Sequence, residues 1–433
     1  MRALSTCILS LLFFLTVSAQ QELHIHHINI GNGDATMIGI FDKASGKYST
    51  KMLIDGGLMA AKDRLVPYIT KMCANDEQPT NFKYAVMTHY HNDHYNGLLA
   101  FKKGNLTCDS LIDPGGYALD DIFPGNHPVS EDFPETITNP QTWFKGLKKA
   151  AEDGFIKDHS KLFVSFGTSS KSGIGKTITL GKIGNDKVQL QCVAGWGNTL
   201  SKNGIEPNPD PTMESPNNLC LAFVLTCGEF RYFIGGDMGG PVEGSDDADY
   251  IDQETPLSSY FVKAYGSSQA WTGTATAKGH VCGYKASHHG SQHSNSTVLL
   301  STMRPTVTVT SSGNKDGWHL PSNVFIKRLA TVTALSSGTG TGIAKRGIYF
   351  TNLQNFSKPA WNSKTTATQL FENKPGISFD YGNKPATESA SYLIKVQENQ
   401  SLSSKSSFEV GRVDISKDEP YMKLAGFRCH RKG

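Results

Sequence analysis

The sequence predicts an α/β protein that presents polar side chains at the carboxyl end of a buried strand. Three observations predict it. Near the amino end, Leu23-His24-Ile25-His26-His27-Ile28-Asn29-Ile30 alternates as a half-buried strand does. The run from Leu58 to Cys73 then places Leu65, Tyr68, Ile69 and Met72 at helical spacing, suited to covering a sheet. Finally, the apolar run Tyr84-Ala85-Val86-Met87 leads straight into Thr88-His89-Tyr90-His91-Asn92-Asp93-His94, which packs three histidines and a carboxylate into six residues.

Of the 433 residues, the first 19 read as a secretory leader rather than structure. Arg2 supplies a positive start, and Cys7 to Val17 is apolar but too short to span a bilayer. Val17-Ser18-Ala19 offers small residues for cleavage before Gln20. The mature chain of about 414 residues is therefore expected to be secreted or periplasmic, with no membrane anchor and no evident protein partner. Lys and Arg number 42 against 39 Asp and Glu, so no basic field draws nucleic acid by itself. Seven cysteines remain without a C-x-x-C pair, which speaks against a zinc finger and leaves disulfide pairing open. Asn105, Asn295, Asn355 and Asn399 head glycosylation sequons.

Along the chain, Gly31-Asn32-Gly33-Asp34-Ala35-Thr36 reads as a tight turn between strands, and Met37 to Ile40 and Lys51 to Ile54 read as the next two. The latter ends in Asp55-Gly56-Gly57. His24 and His26 share one face of their strand and are expected to be solvent-facing or packed rather than ligands. After the histidine loop, Leu98 to Lys103 reads as the start of a helix, as does Gln141 to Asp153. Ser170 to Thr177 imitates a phosphate-binding loop, but Ser170 replaces its first glycine and a β-branched strand follows, so a turn is expected. Lys187 to Val193 alternates as a strand, and Trp196 to Asn218 reads as a long loop. Leu219 to Leu225 is a buried strand, and Arg231 to Ile234 is another that ends in Gly235-Gly236-Asp237. Asp246, Asp247, Asp249, Asp252 and Glu254 form an acidic patch expected to be solvated or at the mouth of the site. Val281 to Ala286 is a strand ending in Ser287-His288-His289-Gly290-Ser291, and Pro305 to Thr310 is another, followed by Asn314, His319 and Pro321. Residues 20–350 are expected to form the main domain. Residues 351–433 are expected to add strands to it, Ser391 to Val396 pairing with Ser407 to Val413.

The histidine loop carries the chemistry. Imidazole and carboxylate are what a catalytic zinc-type ion accepts when it keeps a position open for water. His89 and His91, two apart in an extended loop, can share one ion, while Asp93 and His94 can face a second. A bound divalent ion makes hydroxide available near neutral pH.

These residues resemble the signature of the metallo-β-lactamase-fold hydrolases, which implies a four-layer α/β/β/α sandwich. More narrowly, Ile30-Gly31-Asn32-Gly33-Asp34-Ala35, Ile54-Asp55-Gly56-Gly57 and Lys285-Ala286-Ser287-His288-His289-Gly290-Ser291 resemble the extracytoplasmic domain of the bacterial DNA-uptake competence protein. The resemblance implies a metal-dependent hydrolase with two divalent ions, zinc or manganese. His89 and His91 would hold the first, and Asp93, His94 and His288 the second. Asp237 would bridge, with His289 supporting or touching substrate and His319 helping the leaving group. No histidine lies between His159 and His280 to complete three on the first ion, and Asn217-Asn218 occupies that region. The implied substrate is a phosphodiester, as in nucleic acid. The alternatives are a lactone, thioester or β-lactam hydrolase and a non-catalytic metal-binding protein.

Overall fold

The structure is a computed structural model that describes residues 21–58, 62–114, 150, 152–158, 173–207, 216–241, 250–266, 279–313, 319–336, 346–353, 362–381, 390–397 and 405–430. The expected leader, the helix over 141–149, the acidic residues 246–249 and Asn314 lie outside the described residues. Among those described, no helix is long and apolar enough to cross a membrane.

The alternating stretches form two sheets. The first begins with β1 (Gln21–His27), β2 (Thr36–Asp42), β3 (Lys47–Ile54), β4 (Asn81–Val86), β5 (Thr107–Ile112) and β6 (Ile156–Asp158). The second contains β7 (Thr177–Ile183), β8 (Asp186–Gly195), β9 (Asn198–Ser201), β10 (Gly204–Glu206), β11 (Ala222–Cys227), β12 (Phe230–Ile234), β13 (Gly283–Lys285), β14 (Val307–Thr310), β15 (Arg346–Phe350) and β16 (Ile377–Tyr381). The chain then returns to the first sheet, where β17 (Ser391–Gln397), β18 (Lys405–Val413) and β19 (Tyr421–His430) extend it beyond β1. The segment beyond 350 is thus divided between both sheets. Its β17 and β18 pair antiparallel, Ser391 opposite Val413.

Period-two alternation decides which side chains each face buries. Leu23, Ile25, Ile38, Ile40, Met52 and Ile54 turn inward onto Val188, Leu190, Phe223 and Leu225 of the second sheet. Met37, Leu53, Phe82 and Ala85 turn outward, where they meet Leu65, Tyr68 and Ile69 of α1 (Lys62–Met72). Each such fully buried side chain contributes about 1.5–3 kcal/mol. Beyond the second sheet lie α3 (Glu254–Tyr265), α4 (Thr297–Met303) and α5 (Asn323–Ser336), bringing Leu257, Phe261, Leu299, Phe325 and Ile326 into its core. Two facing sheets flanked by helices make the four-layer arrangement expected from the sequence.

Several elements differ from the sequence reading for local reasons. Leu98 to Lys103 belongs to a 3-10 helix, Asn96–Lys103, that follows a single α turn, α2 (Asn92–Tyr95). Three residues per turn align Leu98 and Phe101 on one buried face. The expected loop after Trp196 contains the β9–β10 hairpin, closed by the two-residue turn Lys202-Asn203 and entering β10 at Gly204, whose φ is 121°. Gly173 to Gly175 is a turn before β7, with the Lys176 N–H bonded to Gly173 O. His24 and His26 are packed. Tyr48 Oη bonds both, and Glu22 and Tyr68 take their remaining ring nitrogens.

Candidate metal centre

The site forms where carboxyl ends of strands from both sheets meet, the usual place for ligands on parallel strands. After β4, the Thr88 N–H donates to Asp55 Oδ1 at 2.8 Å, so the loop following β3 catches the loop following β4. The Gly56 N–H bonds His94 O and the Gly97 N–H bonds Gly57 O. A Cβ on Gly97 would lie 1.8 Å from Gly56 O, so only glycine allows this approach. Asp34 is tied in by its N–H to Asp93 O at 3.1 Å. Asp237 follows β12 through Gly236, whose φ is 51° and whose added Cβ would fall 2.2 Å from Cys220 Sγ. The Asp237 N–H donates to that sulfur at 2.9 Å. Burial pushes the Cys220 thiol up, so the sulfur stays protonated and serves as a positioning acceptor.

Two groups of ligand atoms converge, and they share Asp237. One is Asp34, His94, Asp237 and His289, and the other is His89, His91 and Asp237, the atoms of each lying within 4.8 Å of one another. His94 Nε2 is 3.2 Å from Asp237 Oδ2 and 3.3 Å from His289 Nε2, and His289 Nε2 is 3.5 Å from Asp237 Oδ2. Zn–N and Zn–O bonds of about 2.0–2.1 Å in a tetrahedral array set ligand atoms roughly 3.4 Å apart, which these separations match.

The surrounding hydrogen bonds decide which nitrogen of each ring is bare. His94 Nδ1 donates to Asp55 Oδ2 at 2.8 Å, and His289 Nδ1 donates to Ser311 O at 3.1 Å. Thr88 Oγ1 donates to Asp55 Oδ2, so it accepts from His89 Nδ1 at 3.1 Å. Each of the three rings therefore turns an Nε2 lone pair into the centre, the arrangement of ligating histidines backed by an outer acceptor. Two bare nitrogens 3.3 Å apart repel unless a proton or a metal cation lies between them. Asp34 Oδ1 and Asp237 Oδ1, both buried, have no hydrogen-bond partner. The donor set fits a divalent ion.

Charge agrees with this. Burial works against a charged His94, yet Asp237 and Asp55 outweigh it and hold its pKa well above the ordinary range. His289 is likewise raised to about 9, Asp237 and Asp34 overcoming its burial. The carboxylates thus call for positive charge where these two rings meet. His89 and His91 are lowered, chiefly by burial, which keeps them neutral as ligands must be. Burial opposes ionisation of Asp93, but a hydrogen bond from the charged form of His289 and the charge of His94 prevail and hold it low. Lys285, buried, pairs with Asp34 Oδ2. Asp34 and Asp237 keep it charged against its burial.

Of the expected residues, the structure brings together His89, His91, His94, Asp237 and His289, with Asp93 Oδ2 3.3 Å from His289 Nε2. His288, expected as the ligand of the second ion, stands at the rim with Nε2 3.9 Å from Asp237 Oδ2, and His289 takes the inner place. The cause is the backbone. Both residues adopt left-handed conformations, φ 48° and 52°, and the His288 N–H is held by Gly236 O. His319 is not among the converging atoms. It has φ 50° in a segment anchored by the Ser322 N–H to Gly290 O. Sequence reasoning gave no role to Asp34 or Asp55, although both end a glycine-rich turn or a strand facing the loop. Asn217, buried where a third histidine was missing, lies beside His91. Glu254 is not solvated but fully buried. Asn295, with its side chain buried and engaged, cannot accept a glycan in the folded chain.

Residues 46–106, from β3 through the histidine loop, match the model of the metallo-beta-lactamase superfamily. No curated protein matches the chain. A solved structure from Parabacteroides distasonis ATCC 8503, named "Putative metal-dependent hydrolase", is 10% identical and covers 81% of this chain and 95% of its own. Its TM-score is 0.28. With that segment matched and two helix-flanked sheets around the site, the architecture is that of the metallo-β-lactamase fold.

Proposed function

We propose that the chain is an exported metal-dependent hydrolase that cleaves phosphodiester bonds, with nucleic acid as the substrate class. Its hydrolase character is supported by the superfamily match over 46–106 and by the donor clusters. The observation that carries the reading is the approach of His94 Nε2 and His289 Nε2 to 3.3 Å, each ring proton committed to an outer acceptor. Asp34, His94, Asp237 and His289 would hold one ion, with Asp93 Oδ2, 3.3 Å from His289 Nε2, as a further ligand to it, and His89, His91 and Asp237 would hold the other. Imidazole and carboxylate donors suit zinc, and the carboxylate-rich group also suits manganese. Such ions supply Lewis acidity and lower the pKa of water.

The chain's own residues do the rest. Asp237 belongs to both groups and keeps them in register. Asp55, Ser311 and Thr88 hold ring protons away from the centre. His288, pulled down to about 4 by burial, is neutral at ordinary pH. Hydrolysis forms one P–O bond from water and breaks the ester P–O bond, a water proton ending on the leaving oxygen. The phosphodiester part is supported by the resemblance around Asp34, Asp55 and His288-His289, and by Asn217 beside His91 in place of a third histidine. Export is supported by the composition of residues 1–19.

The test is cleavage of linear single- and double-stranded DNA and of bis(4-nitrophenyl) phosphate by the mature protein with zinc or manganese. Asp93→Ala and a chelator serve as controls. Metal-dependent cleavage lost in Asp93→Ala is expected. Metal binding without cleavage of either substrate, but with turnover of a lactone or β-lactam, would overturn the phosphodiester reading.

A further inference from the structure

A buried carboxylate that the site does not use stands behind the His288-His289 loop. Glu254, the first residue of α3, is 0% exposed, and among the described residues it has no cationic partner. Its Oε1 accepts the Asn295 N–H and its Oε2 the Ser296 N–H, both at 2.6 Å. Gly240 leaves it room, since a Cβ there would lie 2.4 Å from Oε2.

Asn295 carries this anchor onward. It sits at φ 58°, a left-handed conformation that asparagine tolerates better than most residues. Its Oδ1 accepts the Ser287 N–H at 2.9 Å and the Tyr284 hydroxyl at 2.8 Å, and its Nδ2 donates to Ser287 O at 2.8 Å. Asn295 thus brackets the residue immediately before His288 on both backbone sides. His288 and His289 then adopt consecutive left-handed conformations, which cost energy for side chains with a Cβ and persist only when their surroundings impose them. The imposed geometry is what turns His289 rather than His288 towards His94 and Asp237.

We infer that Glu254 is a positioning residue for the metal centre, setting the backbone at Asn295 and Ser296 and through Asn295 the left-handed turn that places His289. This rests on the reading that the His/Asp cluster holds metal. A buried carboxylate is costly unless its oxygens are occupied. Burial raises its pKa to about 7, and the Ser296 hydroxyl together with the two N–H donors opposes that rise. Those same donors make the anchor directional.

The experiment uses the full mature chain, with zinc and manganese alone as probes. Glu254→Gln keeps size and one acceptor but sets an NH2 group against one of the two N–H donors. The expected result is a folded protein that binds one ion as the wild type does and the other at least 10-fold more weakly. On bis(4-nitrophenyl) phosphate, kcat should fall by a similar factor with KM little changed. Asn295→Ala should reproduce the loss, and the double variant should lose no more than either single one. Should Glu254→Gln not fold, Asn295→Ala compared with wild type carries the same test. Unchanged binding of both ions in a folded single variant, or losses that multiply in the double variant, overturns the inference. A wild-type chain that binds neither ion overturns the metal reading, and this inference with it.

Discussion

Asp55→Asn tests the site through a residue that does not touch the proposed ions. The wild-type carboxylate accepts three hydrogen bonds of 2.8 Å, from the Thr88 N–H, the Thr88 hydroxyl and His94 Nδ1–H. An asparagine amide has one acceptor and one donor end. With its NH2 turned to the Thr88 N–H, two donors face each other in a buried site at a cost of about 1–3 kcal/mol. With its NH2 turned to His94, the ring must accept at Nδ1 and carry its proton on Nε2. That proton would then point at His289 Nε2 and Asp237 Oδ2, 3.3 and 3.2 Å away, and block ligation. The second arrangement keeps the bonds to the Thr88 N–H and to His94 and deprives only the rotatable Thr88 hydroxyl, rather than a fixed N–H, of its acceptor, so it wins. Loss of an outer partner of this kind costs about 10–100-fold in metal affinity, or roughly 1.4–2.7 kcal/mol. The assay is a competition titration of the purified chain against a chelating fluorophore, together with a thermal melt without metal. Weaker binding at one of two ions with little change in the metal-free melt is expected. Wild-type affinity at both ions in Asp55→Asn would refute the assignment of His94 Nε2 as a ligand.

Three further outcomes are expected. Asp237→Ala, which removes the carboxylate common to both donor groups, should abolish turnover and metal uptake while circular dichroism shows a folded chain. An active folded variant would rule out a shared aspartate. Gly97→Ala forces a Cβ to 1.8 Å from Gly56 O and should destabilise the chain by at least about 3 kcal/mol in urea unfolding, because backbone on both sides must move. Glu254, raised by burial from 4.5 to about 7, should contribute stability that is complete below pH 4.5 and lost as pH rises through 7. Relative to Glu254→Gln, metal-free wild type should lose about 3 kcal/mol across that window, and a flat difference would refute the burial argument.

Much of the architecture was legible because strand alternation and helical spacing are local. Leu23 and Ile25 turn inward while His24 and His26 turn outward, as the period of two requires. Trp196 to Asn218 was misread because its polar, glycine-rich composition suits a loop and a hairpin equally, and only pairing with β8 distinguishes them. Glu254 was misread for a similar reason. Its acidic neighbours suggest solvent, whereas the backbone N–H groups that hold it lie more than forty residues away.

By itself the sequence determined the kind of donors and the strand ends that carry them: His89 to His94 after β4, Asp237 after β12 and the histidine pair after β13. Those follow from residue type and from breaks in hydrophobic pattern. Only the tertiary structure decided that His289 rather than His288 faces inward, that Asp34 joins the cluster and that Asp55 backs His94. Each depends on a backbone φ imposed by packing, or on loops 39 to 195 residues apart being brought into hydrogen-bond range. A local pattern carries no information about such distances until two sheets have packed face to face.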